Sequence, residues 1–215
     1  LYLISPIFLM LDVFGLECIR GGRRLFRDLS FRLTDGELLH VQGDNGSGKT
    51  SLLRLLCGLL LPAAGEIRWR GVPIARLGVD FRRELCLIGH RDALKNELTP
   101  LENVRMAAHL AGIRLDEAAA RDALAQLGLT GETEEIPCGR LSQGQRRRVA
   151  LARLACVRQP LWLLDEPFAA LDAAATGCVA ALIGRHVRCG GVVVLTMHQT
   201  VDIPVTAARR LTLGA

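Results

Sequence analysis

Gly43-Asp44-Asn45-Gly46-Ser47-Gly48-Lys49-Thr50 satisfies G-x-x-x-x-G-K-[ST] at every constrained position. In front of it, Leu38-Leu39-His40-Val41-Gln42 is a short apolar run between Gly36 and Gly43, the pattern of a buried strand. Behind it, Ser51-Leu52-Leu53-Arg54-Leu55-Leu56-Cys57 is rich in helix formers and stops at Gly58, a C-cap residue. Strand, glycine loop and helix together make the octapeptide a phosphate site. The glycines let backbone N–H groups converge on phosphate oxygens, and the helix N-terminus adds its positive end. Lys49 is expected to reach the outer phosphates, Thr50 to ligate Mg²⁺, and Ser51 to complete the contacts to the nucleotide. The stretch implies a bound nucleoside triphosphate.

Upstream, Leu11-Asp12-Val13-Phe14 and Leu29-Ser30-Phe31-Arg32-Leu33 alternate like half-buried antiparallel strands around a Gly21-Gly22 turn. Downstream, Glu66 to Arg70 alternates again, and Gly71 to Ile74 continues the antiparallel part. Leu85-Cys86-Leu87-Ile88-Gly89 is continuously apolar and suits a central parallel strand. The texture then turns helical. Thr99-Pro100-Leu101-Glu102 is a helix start with N-cap, N1 proline and N3 glutamate, and that helix ends at Gly112. A second helix runs from Asp116 to Leu127, an acidic loop follows at 132–137, and Ser142 caps a third helix reaching about Val157. Strands at 161–165, 192–196 and 211–213, with a helix over 173–187, complete a parallel α/β core. Residues 10–215 read as one domain with a helical insertion over about 91–157, and residues 1–9 as a leader, misassigned or added ahead of Met10.

The 215 residues carry a net charge of +5, half are hydrophobic and 4% are aromatic. That composition is globular and suits polyphosphate or an anionic membrane surface, while the scarcity of aromatics argues against a stacking platform for single-stranded nucleic acid. Seven cysteines without a C-x-x-C read as reduced packing thiols, and no Cys/His pair has zinc spacing.

Leu161-Trp162-Leu163-Leu164-Asp165-Glu166 is a buried strand that presents two acids at its C-terminal end, where open α/β sheets bind ligands. Asp165 is the expected holder of Mg²⁺ through water, and Glu166 the general base for an attacking water. Leu141-Ser142-Gln143-Gly144-Gln145 resembles the L-S-x-G-Q signature of the ABC-transporter ATPases, which adenylate kinases and GTPases lack. The resemblance covers the chain from Met10 and implies a P-loop NTPase of ABC type: α/β, a mixed sheet with an antiparallel N-terminal β-subdomain, and an inserted helical subdomain. It implies ATP and Mg²⁺ as cofactors and a homodimer in which Ser142, Gln143, Gly144 and Gln145 of one copy meet the γ-phosphate held by the other. Asp172 resembles the aspartate of the D-loop, and His198 the switch histidine, the latter a catalytic role shared with Lys49 and Glu166. Two positions depart from the pattern. His90 stands where the family places a glutamine, and is expected at the nucleotide or at a metal-bound water; Arg20 stands where an aromatic residue stacks on adenine.

Within that family the chain is most similar to the ATPases of haem export and cytochrome c maturation, through Leu16 to Arg20, Arg23 to Phe26, His40 to Gly46, Gly89-His90, Leu94-Lys95 and Leu98 to Asn103. This similarity implies a peripheral ATPase at the cytoplasmic face of a bacterial inner membrane, docked to integral subunits of the CcmB and CcmC type and without direct contact to nucleic acid. Its turnover would drive haem export or release of a haem-loaded chaperone. The alternatives are the ATPase of another ABC transporter, or a soluble ABC protein acting on ribosomes or nucleic acid.

Overall fold

The computed structural model describes residues 9–198 and 200–214. The expected leader at 1–9 lies outside them apart from Leu9, whose backbone opens the first strand. Strands β1 (Leu9–Arg20) and β2 (Arg23–Thr34) form a hairpin across Gly21-Gly22, each longer than its alternating stretch suggests. The reason is Gly15: at φ 52° it shifts the register and breaks the alternation, while its N–H donates to Ser30 Oγ at 2.8 Å and keeps the strands joined. β4 (Ala64–Trp69) and β5 (Val72–Pro73) complete an antiparallel sheet in the order β2-β1-β4-β5.

The second sheet holds β3 (Leu38–Gln42), β6 (Leu85–Ile88), β7 (Leu161–Asp165), β8 (Val192–Thr196) and β9 (Ala208–Thr212) in the order β6-β7-β8-β3-β9, paired in parallel. Successive side chains leave a strand on opposite faces, so each strand serves two cores. Leu161, Leu163, Val192, Val194, Leu39 and Val41 pack with α1 (Lys49–Leu56) and the antiparallel sheet. Trp162, Leu164, Val193 and Leu195 pack with α6 (Gln143–Ala152) and α7 (Ala173–Arg188). Covering on both faces is why these strands are apolar throughout.

Four expectations need correction. The strand at 85–89 is parallel but lies at the sheet edge, with every second residue only half buried; its four-residue run was too short to reveal the missing neighbour. The helix opened by Ser142 stops at Ala152 and tightens into a 3-10 turn over Arg153–Ala155, which carries Leu154 into the core and the Arg153 guanidinium onto the Leu87 carbonyl. The acidic stretch at 132–137 is no loose loop: Gly131–Glu134 is a 3-10 turn and Glu134 is buried in an ion pair with Arg121, from α5 (Glu117–Ala125). The last strand begins at Ala208, three residues before the stretch read as strand. α2 (Ile74–Leu77) and α3 (Val79–Arg83), split by Gly78 at φ 55°, are too short for periodicity to reveal. By contrast α4 (Pro100–Leu110) starts on the expected capping box, with Thr99 and Glu102 bonded reciprocally. Among the described residues no helix is long and apolar enough to cross a membrane.

Candidate functional site

The loop between β3 and α1 depends on its glycines. A Cβ on Gly43 would lie 2.5 Å from the Leu213 carbonyl and 2.6 Å from Ser47 Oγ; one on Gly48, at φ 104°, would press on the Phe26 ring. Lys49 opens α1, is 7% exposed, and donates from Nζ to the carbonyls of Gly43 (2.7 Å) and Asp44 (3.0 Å). Its third N–H is left for an anion. Ser47 Oγ is buried with no hydrogen-bond partner among the described residues, and Gly48 caps α1 without a side-chain bond. The loop thus has unmet donors and a helix dipole converging where phosphate oxygens would sit. Asp44, Asn45 and Gly46 form its exposed rim, and Ser51 follows Thr50 in the first turn of α1.

The C-terminal ends of β7 and β8 meet this loop. Thr50 Oγ1 donates to Asp165 Oδ2 at 2.9 Å, and the fully buried Thr196 donates from Oγ1 to Asp165 Oδ1 at 2.8 Å. The Glu166 N–H donates to Thr196 Oγ1 at 2.9 Å. His198 Nε2 lies 2.9 Å from Glu166 Oε1, and His90 Nδ1 lies 3.9 Å from Glu166 Oε2. Thr50, His90 and Asp165 line one cleft together with Gly89 and Arg91. Beneath the histidine turn, His40 Nε2 lies 3.4 Å from the Met197 carbonyl, and burial pushes its imidazole below the usual pKa. A hydroxyl and a carboxylate at hydrogen-bond distance are hard oxygen donors of the kind that hold Mg²⁺ alongside waters and substrate phosphates, so the residues present fit that ion.

Sequence reading missed Thr196 and Arg147. Arg147 is 4% exposed and donates from Nη2 to the carbonyls of Asp165 (2.9 Å) and Glu166 (2.8 Å), and from Nη1 to the Gly89 carbonyl (3.0 Å) and Asp92 Oδ1 (3.3 Å). A signal was available: Arg147 shares a helical face with Ala150, Leu151 and Leu154, all of them core residues.

The signature residues lie apart from this cluster. Ser142 caps α6 through a capping box, Oγ accepting from the Gln145 N–H at 3.2 Å and Gln145 Oε1 from the Ser142 N–H at 2.9 Å. Gly144 packs so tightly on the Ala170 carbonyl that a Cβ would come within 2.9 Å of it. Asp172 caps α7 by accepting from the Ala175 N–H at 2.8 Å. Ser142, Gln143 and Asp172 are exposed, and no hydrogen bond joins 142–145 to 43–50 among the described residues. Arg20 is exposed at the end of β1, near the Cys18 thiol, whose pKa burial raises and the Arg20 charge partly lowers.

The family model of the ABC transporter domain matches residues 26–169. The cytochrome c biogenesis ATP-binding export protein CcmA of Dechloromonas aromatica is 58% identical over 95% of this chain and 100% of its own length. The CcmA of Nitrosomonas europaea is 51% identical, with 98% of each chain covered. Among solved structures, a dimeric ATP-binding cassette in a post-hydrolysis state with ADP and phosphate superposes with a TM-score of 0.80 at 24% identity, over 95% of this chain and 94% of that one. The last likeness, under 25% identical, bears on the fold alone. From motifs, fold and sequence together, the chain is an ABC-type ATPase and belongs to the family of cytochrome c biogenesis ATP-binding export proteins, CcmA.

Proposed function

We propose that the chain is the ATP-hydrolysing subunit of a membrane complex for cytochrome c maturation, coupling ATP binding and hydrolysis to haem export or to release of a haem-loaded chaperone. The observation that carries the chemistry is the Glu166 carboxylate, bonded to His198 and seated beside the Thr50–Asp165 pair at the phosphate loop. Lys49 turns its ammonium from the Gly43 and Asp44 carbonyls toward the outer phosphates. Thr50 and Asp165, with His90 in the same cleft, are the residues that would hold Mg²⁺, and the ion would supply positive charge to the phosphates. Glu166 orients the water in line with the γ-phosphate and takes its proton, while His198 holds the carboxylate in place. Arg20, exposed at the end of β1, would stack on the adenine through its guanidinium.

The constellation is completed by a second copy, whose Ser142, Gln143, Gly144, Gln145 and Asp172, the first two and the last of them exposed, close over the nucleotide. Support for this is that these residues bond only within their own elements and stand clear of their own phosphate loop. The integral subunits are of the CcmB and CcmC type, which keeps the chain at the cytoplasmic face of the inner membrane; the relatives' names, export proteins of cytochrome c biogenesis, support work with a membrane partner. The biological reading is tested by purifying the chain with its membrane partner. Disabling Glu166 should make haem-loaded chaperone accumulate on the periplasmic side, whereas normal cytochrome maturation with a Glu166→Gln subunit would overturn the reading.

A further inference from the structure

Arg147 is a buried cation whose nearest counter-charge is Asp92, at 3.3 Å, and its Nε finds no partner among the described residues. A buried charge is ordinarily costly, and an apolar side chain of similar volume would fill the same space more cheaply. What the guanidinium does in exchange is join segments. One nitrogen holds the carbonyls of Asp165 and Glu166; the other holds Gly89 and Asp92, in the loop after β6 that carries His90.

The backbone of Glu166 explains why such a clamp is needed. Its φ is 50°, left-handed for a residue with a Cβ, a conformation that persists only where neighbours over-determine it. On one side the Glu166 N–H is fixed by Thr196, through Oγ1 at 2.9 Å and the carbonyl at 3.2 Å. On the other side the Glu166 carbonyl accepts from Arg147 at 2.8 Å and from the Ala169 N–H at 3.1 Å. Released from the guanidinium, the peptide after Glu166 can rotate toward the common φ region and swing the carboxylate off its line.

We infer that Arg147 is a positioning residue: it fastens the loop at 89–92 to the peptide of Glu166, so that the place of that loop sets the aim of the carboxylate. A displacement of the loop by anything docked beside it is then felt at Glu166 directly, through one guanidinium. The inference rests on the reading of Glu166 as the group that activates water.

The test uses the full chain carrying Arg147→Met or Arg147→Lys, each alone and on a Glu166→Gln background. Binding of a non-hydrolysable ATP analogue and KM should change by less than about threefold, because the Lys49 cradle is untouched, while kcat falls by about 10- to 100-fold, the scale of a misplaced reacting group. Arg147→Lys should recover part of kcat, since an ammonium reaches one side of the clamp but not both. On the Glu166→Gln background, Arg147→Met should change the residual single-turnover rate by less than about twofold, because the group it aims is gone. A loss of the same factor in both backgrounds, or a matching loss of nucleotide affinity, would mean a general structural role and overturn the inference. If Arg147→Met does not fold, Arg147→Lys carries the same comparison. Normal turnover by an Arg147 variant beside an inactive Glu166→Gln overturns this inference alone; full turnover by Glu166→Gln removes its premise and overturns both.

Discussion

Asp165 and Glu166 are neighbours in the chain, and the Thr196 hydroxyl ties the side chain of the first to the backbone of the second. It donates to Asp165 and accepts from the Glu166 N–H, with no exposure to solvent. Thr196→Val keeps the shape and removes the bridge. We expect a loss of about 1–3 kcal/mol in a urea titration, the penalty for leaving a buried group unpaired. We also expect kcat to fall about tenfold, and an unchanged kcat would contradict the bridge. Lys49→Ala should weaken ATP-analogue binding by about 10- to 100-fold, because in the proposed site the ammonium would make charge-assisted bonds to phosphate; titration checks it. These residues differ in how far sequence reveals them. Lys49, Thr50, Asp165 and Glu166 sit in spacings that chemistry constrains, so the motif names them. Arg147 sits in a run of three arginines that look alike along the chain. At 100° per residue they point three ways, Arg146 to Asn96 and the Cys138 carbonyl, Arg148 to the Leu127 and Gly128 carbonyls, and only Arg147 inward.

α4 and α6 both open on a capping box, Thr99 with Glu102 and Ser142 with Gln145. The local physics is the same, so Thr99→Ala and Ser142→Ala should each destabilise the fold by about 1 kcal/mol. Their turnover should differ: ATPase activity survives Thr99→Ala and falls steeply in Ser142→Ala, because in the proposed dimer its hydroxyl would also serve the second copy. Equal activities would place Ser142 among ordinary caps. Between α7 and β7, the His186 ring stacks on Trp162 with centroids 3.8 Å apart, and Gly191 is needed there because a Cβ would come within 2.1 Å of the ring. Burial drives the His186 pKa down to about 4, against a partial opposing effect from the Pro160 carbonyl. The unfolded chain takes that proton near pH 6.5, the folded chain only near 4, so folding stability drops as pH falls through this window and levels off below it. His186→Phe should flatten that part of a stability-against-pH curve, and an unaltered slope would refute the assignment. Elements with a cap, a period or a continuous apolar run were legible from sequence. α2, α3 and the edge position of β6 were not, since their placement depends on which neighbours they meet.

On the scale of the molecule, two cores back one parallel sheet, and the sheet's C-terminal edge gathers the phosphate loop from β3, the acids from β7 and His198 beyond β8. Alternation within each strand feeds both cores, which is why the sheet could be read from apolar runs while its strand order could not. The signature at the start of α6 belongs to the same chain but stands clear of that edge, so in the proposed dimer one copy would supply two different parts of two sites. The central claim is therefore dimerisation around nucleotide, and mass measurement by light scattering tests it most directly. Glu166→Gln with Mg²⁺ and ATP should elute at twice the 23.4 kDa of one chain and return to single mass without nucleotide or with Ser142→Arg. A chain that binds ATP yet stays at 23.4 kDa under the same conditions would contradict the account.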